Sequence, residues 1–145
     1  MRFHLALAFI LAAPSQAIAQ DERIVYSGTP LVAGTADGLA ATTRPLRSES
    51  AGESGLRIVL RGGRFYWASR GDRELRRSES GRYIIFACAA GIIKLVDPMW
   101  DATRSPLRAT VEHEQFDYVE MLHEHLTTLT YWGRGSGDAR ALRGG

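Results

Sequence analysis

The chain has 145 residues and a formal net charge of +2, a length that suits one domain with its own core rather than two. A charge so near zero gives no global reason to expect a nucleic-acid or membrane partner. Because Cys88 is the single cysteine, an intramolecular disulfide is excluded, and packing must supply the stability of the fold.

The first residues, MRFHLALAFILAAPSQAIAQ, have the features of a secretory signal peptide. A short basic head precedes the apolar run from Leu5 to Ala13, which is too short to span a bilayer as a helix. Ala17-Ile18-Ala19 then matches the small-x-small pattern of a signal peptidase site. We therefore predict a signal peptide over residues 1–19, cleavage near Ala19, and a mature chain that is secreted or periplasmic.

Residues 20–55 are predicted to form an N-terminal strand followed by a flexible polar loop or arm. ERIVYSG indicates a short strand that ends at Gly28, because Pro30 limits its extension. Residues 33–55 contain almost no large apolar side chains. Burying them would therefore offset little of the conformational entropy that the chain loses when it becomes ordered.

A β-rich core domain is predicted over residues 56–133. LRIVL and FYWAS flank Gly62-Gly63, which is typical of a hairpin, and YIIFACAA and IIKLVD follow as further strands. Residues 126–132 favour a strand, residues 115–125 stay open between helix and strand, and residues 134–145 are predicted to be a mobile tail. The pattern predicts a mainly β fold: a small antiparallel barrel or sandwich of about five to seven strands with at most one helix.

An arginine-rich hairpin is the strongest candidate for a binding surface. Between residues 57 and 82, eight arginines face three acids, a local net charge of +5, and they interleave with the aromatic run FYW. Aromatic rings beside guanidinium groups are typical of binding hot spots. Strand alternation places Phe65 and Trp67 on one face and Tyr66 on the other, so one of these faces enters the core. The predicted contact residues are Tyr66, Trp67, Arg70, Arg73, Arg76 and Arg77, and the alternative is a solvated hairpin over an aromatic core.

The serines of this region do not form a catalytic pattern. No G-x-S-x-G elbow is present, and no histidine lies near them in the sequence. The leading hypothesis is therefore a non-enzymatic exported binding module whose partner is a protein or an anionic polymer in the envelope or outside the cell.

Three histidines support a second hypothesis, a metal-binding protein or metallohydrolase. If residues 121–126 form a strand, His123 and His125 point to one face, about 7 Å apart. With His113 as a third ligand, such a pair could bind zinc.

Charge segregation supports a third hypothesis, a self-associating envelope protein. The basic segment 57–82 and the acidic segment 112–124 coexist in a nearly neutral chain. They could attract each other within one fold, or pair between copies as basic and acidic faces of a homo-oligomer.

The heptapeptide SESGRYI, residues 78–84, resembles the Ser-Gly…Tyr loop of periplasmic lysozyme-inhibitor barrels. The resemblance covers seven residues and implies an inhibitor-like binding role. The Trp- and Lys-Gly-containing strand and the disulfide of those inhibitors are absent from this sequence, so no functional residue is carried over.

Overall fold

The computed structural model describes residues 21–37, 40–46, 55–98 and 114–144. The predicted signal peptide and His113 lie outside these ranges. The described residues form nine strands, a 3-10 turn over Ala68–Arg70 and one short α-helix. Their bounds are β1 Glu22–Asp37, β2 Ala40–Pro45, β3 Leu56–Arg61, β4 Arg64–Trp67, β5 Arg73–Ser80, β6 Tyr83–Cys88, β7 Gly91–Val96, β8 Glu114–Glu124, β9 Thr127–Gly137 and α1 Ala139–Leu142. None of the described helices has the length and apolar character needed to cross a bilayer.

Eight of the strands close into an antiparallel barrel. Strands β3 to β9 pair in sequence order, β3 pairs with the first half of β1, and β9 pairs with β1 from the other side. Strand β2 lies outside this closure, as a ninth strand paired with the second half of β1. The prediction of a mainly β, antiparallel fold is confirmed, and of the two predicted architectures, barrel or sandwich, the chain forms the barrel, but five to seven strands was too few. Strands β2 and β5 bury at most one side chain each, so they lack the apolar alternation that marks a strand in the sequence.

Strand β1 is longer than the sequence indicates. It continues past Gly28 to Asp37, with a bulge between Pro30 and Val32. Before the bulge β1 pairs with β3, and after it β1 pairs with β2. Proline is tolerated at a bulge, where the ladder is already interrupted. Of the loop predicted over residues 33–55, residues 33–37 and 40–45 belong to a β-hairpin, and residues 47–54 lie outside the described ranges. Residues 22–28 belong to the barrel.

The core fills the barrel interior with side chains from alternate positions. Phe65 and Trp67 point inward while Tyr66 points outward, which decides between the two faces left open by the sequence. Aromatic rings meet edge to face, as in the pair Phe65 and Phe86, whose centroids are 5.0 Å apart. The largest fully buried side chains are Trp67, Tyr26, Tyr118, Phe86, Phe116, Leu56, Ile58, Ile84, Ile93, Leu95, Leu142 and Glu120.

The β3–β4 hairpin forms where the sequence predicts it. Arg61 pairs with Arg64, and the two intervening glycines have φ values of 56° and 75°. Only glycine adopts two successive left-handed conformations without a steric cost, so Gly62-Gly63 determines the turn.

The predicted mobile tail is instead the end of the barrel. Residues 134–137 complete β9, and Asp138 caps α1 by accepting a hydrogen bond from the Ala141 backbone N–H at 2.9 Å. Leu142 is fully buried in the core cluster, and Arg143 forms an ion pair with Asp97 at 3.0 Å. The glycines of this segment predicted mobility, but Gly135 instead makes room for the neighbouring β1 backbone.

Candidate functional site

A buried polar cluster lies inside the barrel, at the end opposite α1. The Glu120 side chain, on β8, is fully buried. Its Oε1 accepts a hydrogen bond from Trp67 Nε1 at 2.8 Å, and its Oε2 accepts one from Arg70 Nη2 at 2.9 Å. The Arg70 guanidinium lies 5.4 Å from the centre of the Tyr131 ring. Since its side chain is 16% exposed, Arg70 links the buried carboxylate to the barrel mouth.

Burial dominates the electrostatics of this cluster. Desolvation raises the pKa of Glu120, while the charge and hydrogen bond of Arg70 and the hydrogen bond from Trp67 oppose that rise. Desolvation also raises the pKa of the neighbouring Tyr118 phenol. The hydroxyl of Tyr118 is buried and makes no hydrogen bond to the described residues. The arrangement is a buried ion pair that orients the 3-10 turn against β8.

The raised pKa of Glu120 predicts a pH dependence of stability. A carboxyl group that binds its proton more tightly in the folded state stabilises the fold fully below its unfolded pKa of about 4.3, and this contribution is lost as pH rises through the folded pKa. We expect the free energy of unfolding of the native chain, relative to E120Q, to increase as pH is lowered toward 4.3. Urea unfolding of both proteins across pH 4–8 measures this difference, and a difference that decreases on acidification would contradict the expected direction.

The six predicted contact residues do not form one surface. Trp67 is fully buried and cannot contact a partner, because its strand turns that face toward the core. Arg70 is engaged with Glu120 at the barrel mouth. Arg77 lies at the opposite end, where its Nε donates to the Leu142 carbonyl and its Nη2 lies 2.5 Å from Glu79 Oε2. Arg73 is exposed where β5 begins, directly across from Trp67.

Tyr66 and Arg76 remain together on the outer wall of the barrel. Tyr66 lies across from Glu74, and the Arg61 guanidinium lies 4.7 Å from the centre of its ring. Arg61 is paired with Arg64, and continuing the β4–β5 register places Arg76 opposite Arg64. We call this surface, consisting of Arg61, Arg64, Tyr66 and Arg76, the Tyr66 patch.

The three arginines of the Tyr66 patch differ in whether a nearby acid neutralises their charge. Arg61 forms ion pairs with Glu22 and Asp72, and hydrogen bonds to these acids raise its pKa. Arg64 lies 3.3 Å from Glu74. Arg76 is exposed and forms no ion pair with any described residue. A row of like charges directly across strands is destabilising, so the acids offset this cost for two members and leave the third available.

The structure describes two of the three candidate metal ligands. His123 is exposed on the outer face of β8, with its Nδ1 3.3 Å from Thr128 Oγ1. His125 lies in the turn between β8 and β9, with a φ of 54°, so regular strand alternation does not relate the two side chains. No group of three metal-ligating side chains is found among the described residues. The zinc site with His113 stays a prediction.

Two of the three acids of the acidic segment whose side chains the structure describes are paired within the fold. Glu120 is buried against Arg70, and Asp117 accepts a hydrogen bond from Arg134 Nε at 2.8 Å. Among the described acids of this segment whose side chains can be placed, Glu124 forms no ion pair. Pairing of basic and acidic faces between copies stays a prediction.

The hairpin that resembles the inhibitor loop lies at the α1 end of the barrel. Ser80 pairs with Tyr83, and Gly81 and Arg82 form the exposed turn between them. Arg82 lowers the pKa of Tyr83 through a hydrogen bond and its charge.

Sequence reasoning missed Glu120, the best-connected polar residue of the interior. Phe116, Tyr118, Glu120 and Leu122 alternate along β8, so a single acid stands in an otherwise apolar inward series. That signal was hidden because residues 115–125 were not assigned to a strand.

No family model and no solved structure matches the chain. Hercynine oxygenase of Mycolicibacterium thermoresistibile is 33% identical over 78 residues, which are 54% of this chain and 16% of that protein. The chain thus spans about a sixth of that relative's length.

Proposed function

We propose that this chain is an exported, non-enzymatic binding domain that contacts an acidic face of a protein partner through the Tyr66 patch. One observation carries the proposal: Arg61 and Arg64 stand directly across from each other beside the outward Tyr66, and Arg76, which the extended β4–β5 register adds to this row, is exposed without an ion pair among the described residues. Stability alone would select against like charges in such a row. Local rules broken in this way are expected at functional surfaces.

The composition of the patch supports a protein rather than an anionic polymer as the partner. Glu22, Asp72 and Glu74 lie among the arginines, so the surface alternates in sign. A polymer with uniformly spaced charges is best bound by a uniformly positive surface, whereas a mixed surface with an aromatic centre suits a protein. Export rests on the signal-peptide pattern of residues 1–19.

Charge reversal of Arg76 tests the proposal. We expect R76E, and separately Y66A, to reduce recovery of the partner from envelope and culture-medium extracts at least tenfold, because like charges across an interface are strongly unfavourable. R140E is the matched control, since Arg140 is exposed on α1 and the substitution changes the net charge equally.

Recovery by R76E equal to that by the native chain, with the fold verified by circular dichroism, would exclude the Tyr66 patch. Equal losses in R76E and R140E would indicate attraction by net charge only. Protease treatment of the extract should abolish recovery, whereas recovery that resists protease would identify an anionic polymer instead.

A further inference from the structure

The outer edge of β2 is the end of the described sheet. Strand β2 pairs with β1 on one side, and no described strand pairs with its other side. All six of its residues, Ala40 to Pro45, are exposed. An unpaired edge of this kind is a template for adding another strand.

The hydrogen-bond pattern identifies which backbone groups face outward. The Leu46 N–H donates a hydrogen bond to the Leu31 carbonyl at 2.9 Å. This bond flanks the cross-strand pair of Val32 and Pro45, so these two residues exchange no hydrogen bonds with each other. In an antiparallel ladder such pairs alternate with hydrogen-bonded ones. The N–H and C=O groups of Ala41 and Thr43 therefore point away from β1, and the missing N–H of Pro45 costs that pairing nothing.

These outward groups are complementary to themselves. If a second copy approaches antiparallel with Thr42 opposite its own equivalent, Ala41 lies opposite Thr43 of the other copy, and Thr43 opposite Ala41. Each of these pairs exchanges two main-chain hydrogen bonds, four in total, and every outward N–H of Ala41 and Thr43 is used. Facing threonines are also favourable cross-strand neighbours.

Charge complementarity supports the same register. Asp37 lies directly across from Ala40 on β1, and Arg44 of the second copy would lie across from Ala40 on the other side. The three residues then share one face of the joined sheet, with only the small Ala40 between Asp37 and the incoming Arg44. Both charged residues are exposed, and neither forms an ion pair with a described residue. Because a two-fold axis relates the two copies, this ion pair forms twice.

We propose that two copies of this chain dimerise through their β2 edges, joining the two barrels by a continuous antiparallel sheet. The occupant of the edge is a second copy, because the same residues supply both halves of the hydrogen-bond and charge patterns, as an isologous interface requires. The interface is independent of the Tyr66 patch, which lies on β3, β4 and β5, so dimerisation and partner binding can succeed or fail separately.

Sedimentation equilibrium of the mature chain over about 5–500 μM tests the proposal. We expect a reversible dimer whose dissociation constant increases at least tenfold in T43P, because proline removes an outward N–H without removing a bond to β1. T43V, which keeps this N–H, is the matched control and should dimerise like the native chain.

Charge exchange gives a second test that does not depend on the folding of T43P. R44D places two acids together across the interface and should weaken the dimer at least tenfold, and D37R/R44D should restore it to within about threefold of the native value. A native chain that stays monomeric over the whole range would overturn the proposal. So would a dimer that T43P and R44D leave unchanged, or a double variant as weak as R44D.

Discussion

Replacement of Arg70 by leucine is expected to lower the free energy of unfolding by about 3–5 kcal/mol at neutral pH, because it leaves the buried Glu120 carboxylate without its charged partner. Arg70 contributes both a charge and a hydrogen bond that oppose the raised pKa of Glu120. In R70L we therefore expect Glu120 to take up its proton at a higher pH than in the native chain.

Chemical denaturation at pH 7 and pH 5 measures this effect. The deficit of R70L should shrink at pH 5, because the protonated carboxyl costs less to bury than the carboxylate. R70L/E120Q should be more stable than R70L at pH 7, since removing the charge removes most of the penalty. R73L is the matched control, because Arg73 is exposed and makes no ion pair in the described part of the chain. If R70L loses no more stability than R73L, the ion pair does not support the barrel mouth.

Replacement of Gly135 by alanine is the second change expected to have a large effect, a loss of about 3 kcal/mol or more. A Cβ atom at this position would lie 2.2 Å from the Ser27 carbonyl oxygen and 2.5 Å from the Gly28 Cα. Both atoms belong to the backbone of β1, so neither can move as a side-chain end would. The β1–β9 ladder that closes the barrel would have to separate locally.

Thermal unfolding followed by circular dichroism measures this loss. S136A is the matched control, since Ser136 is exposed on the same strand and its substitution should change stability by less than about 0.5 kcal/mol. A melting temperature of G135A equal to that of S136A would show that β1 and β9 are not held as closely as the structure places them.

Arg70 and Gly135 lie toward opposite ends of the same barrel. The ion pair of Glu120 fixes the 3-10 turn at one end of the barrel. The glycine-containing end of β9, together with α1, closes the other end. The Tyr66 patch lies on three paired strands of the outer wall, and a surface preorganised in this way loses less entropy on binding. The β2 edge projects from β1, the strand that pairs with β9.

The sequence alone determined the fold class and several elements. Runs rich in apolar, aromatic or β-branched residues predict β3, β4, β6 and β7, because these side chains pack well on the half-buried surface of a strand. Gly62-Gly63 predicts the β3–β4 turn, because only local backbone sterics decide it. The alternation in FYW also showed that one aromatic face enters the core.

Only the tertiary structure decided the rest, because each remaining feature depends on a neighbouring strand or side chain that the local sequence pattern does not show. Strand β2 forms because β1 is beside it, and residues 133–137 form a strand because they pair with β1 and β8. Glycine stands in this strand because the β1 backbone and the Tyr118 ring fill the space where side chains would stand. Trp67 was mistaken for a contact residue because its partner, Glu120, lies 53 residues away. The arginine count of the hairpin was visible in the sequence, but which arginines are paired with acids is settled only by the fold.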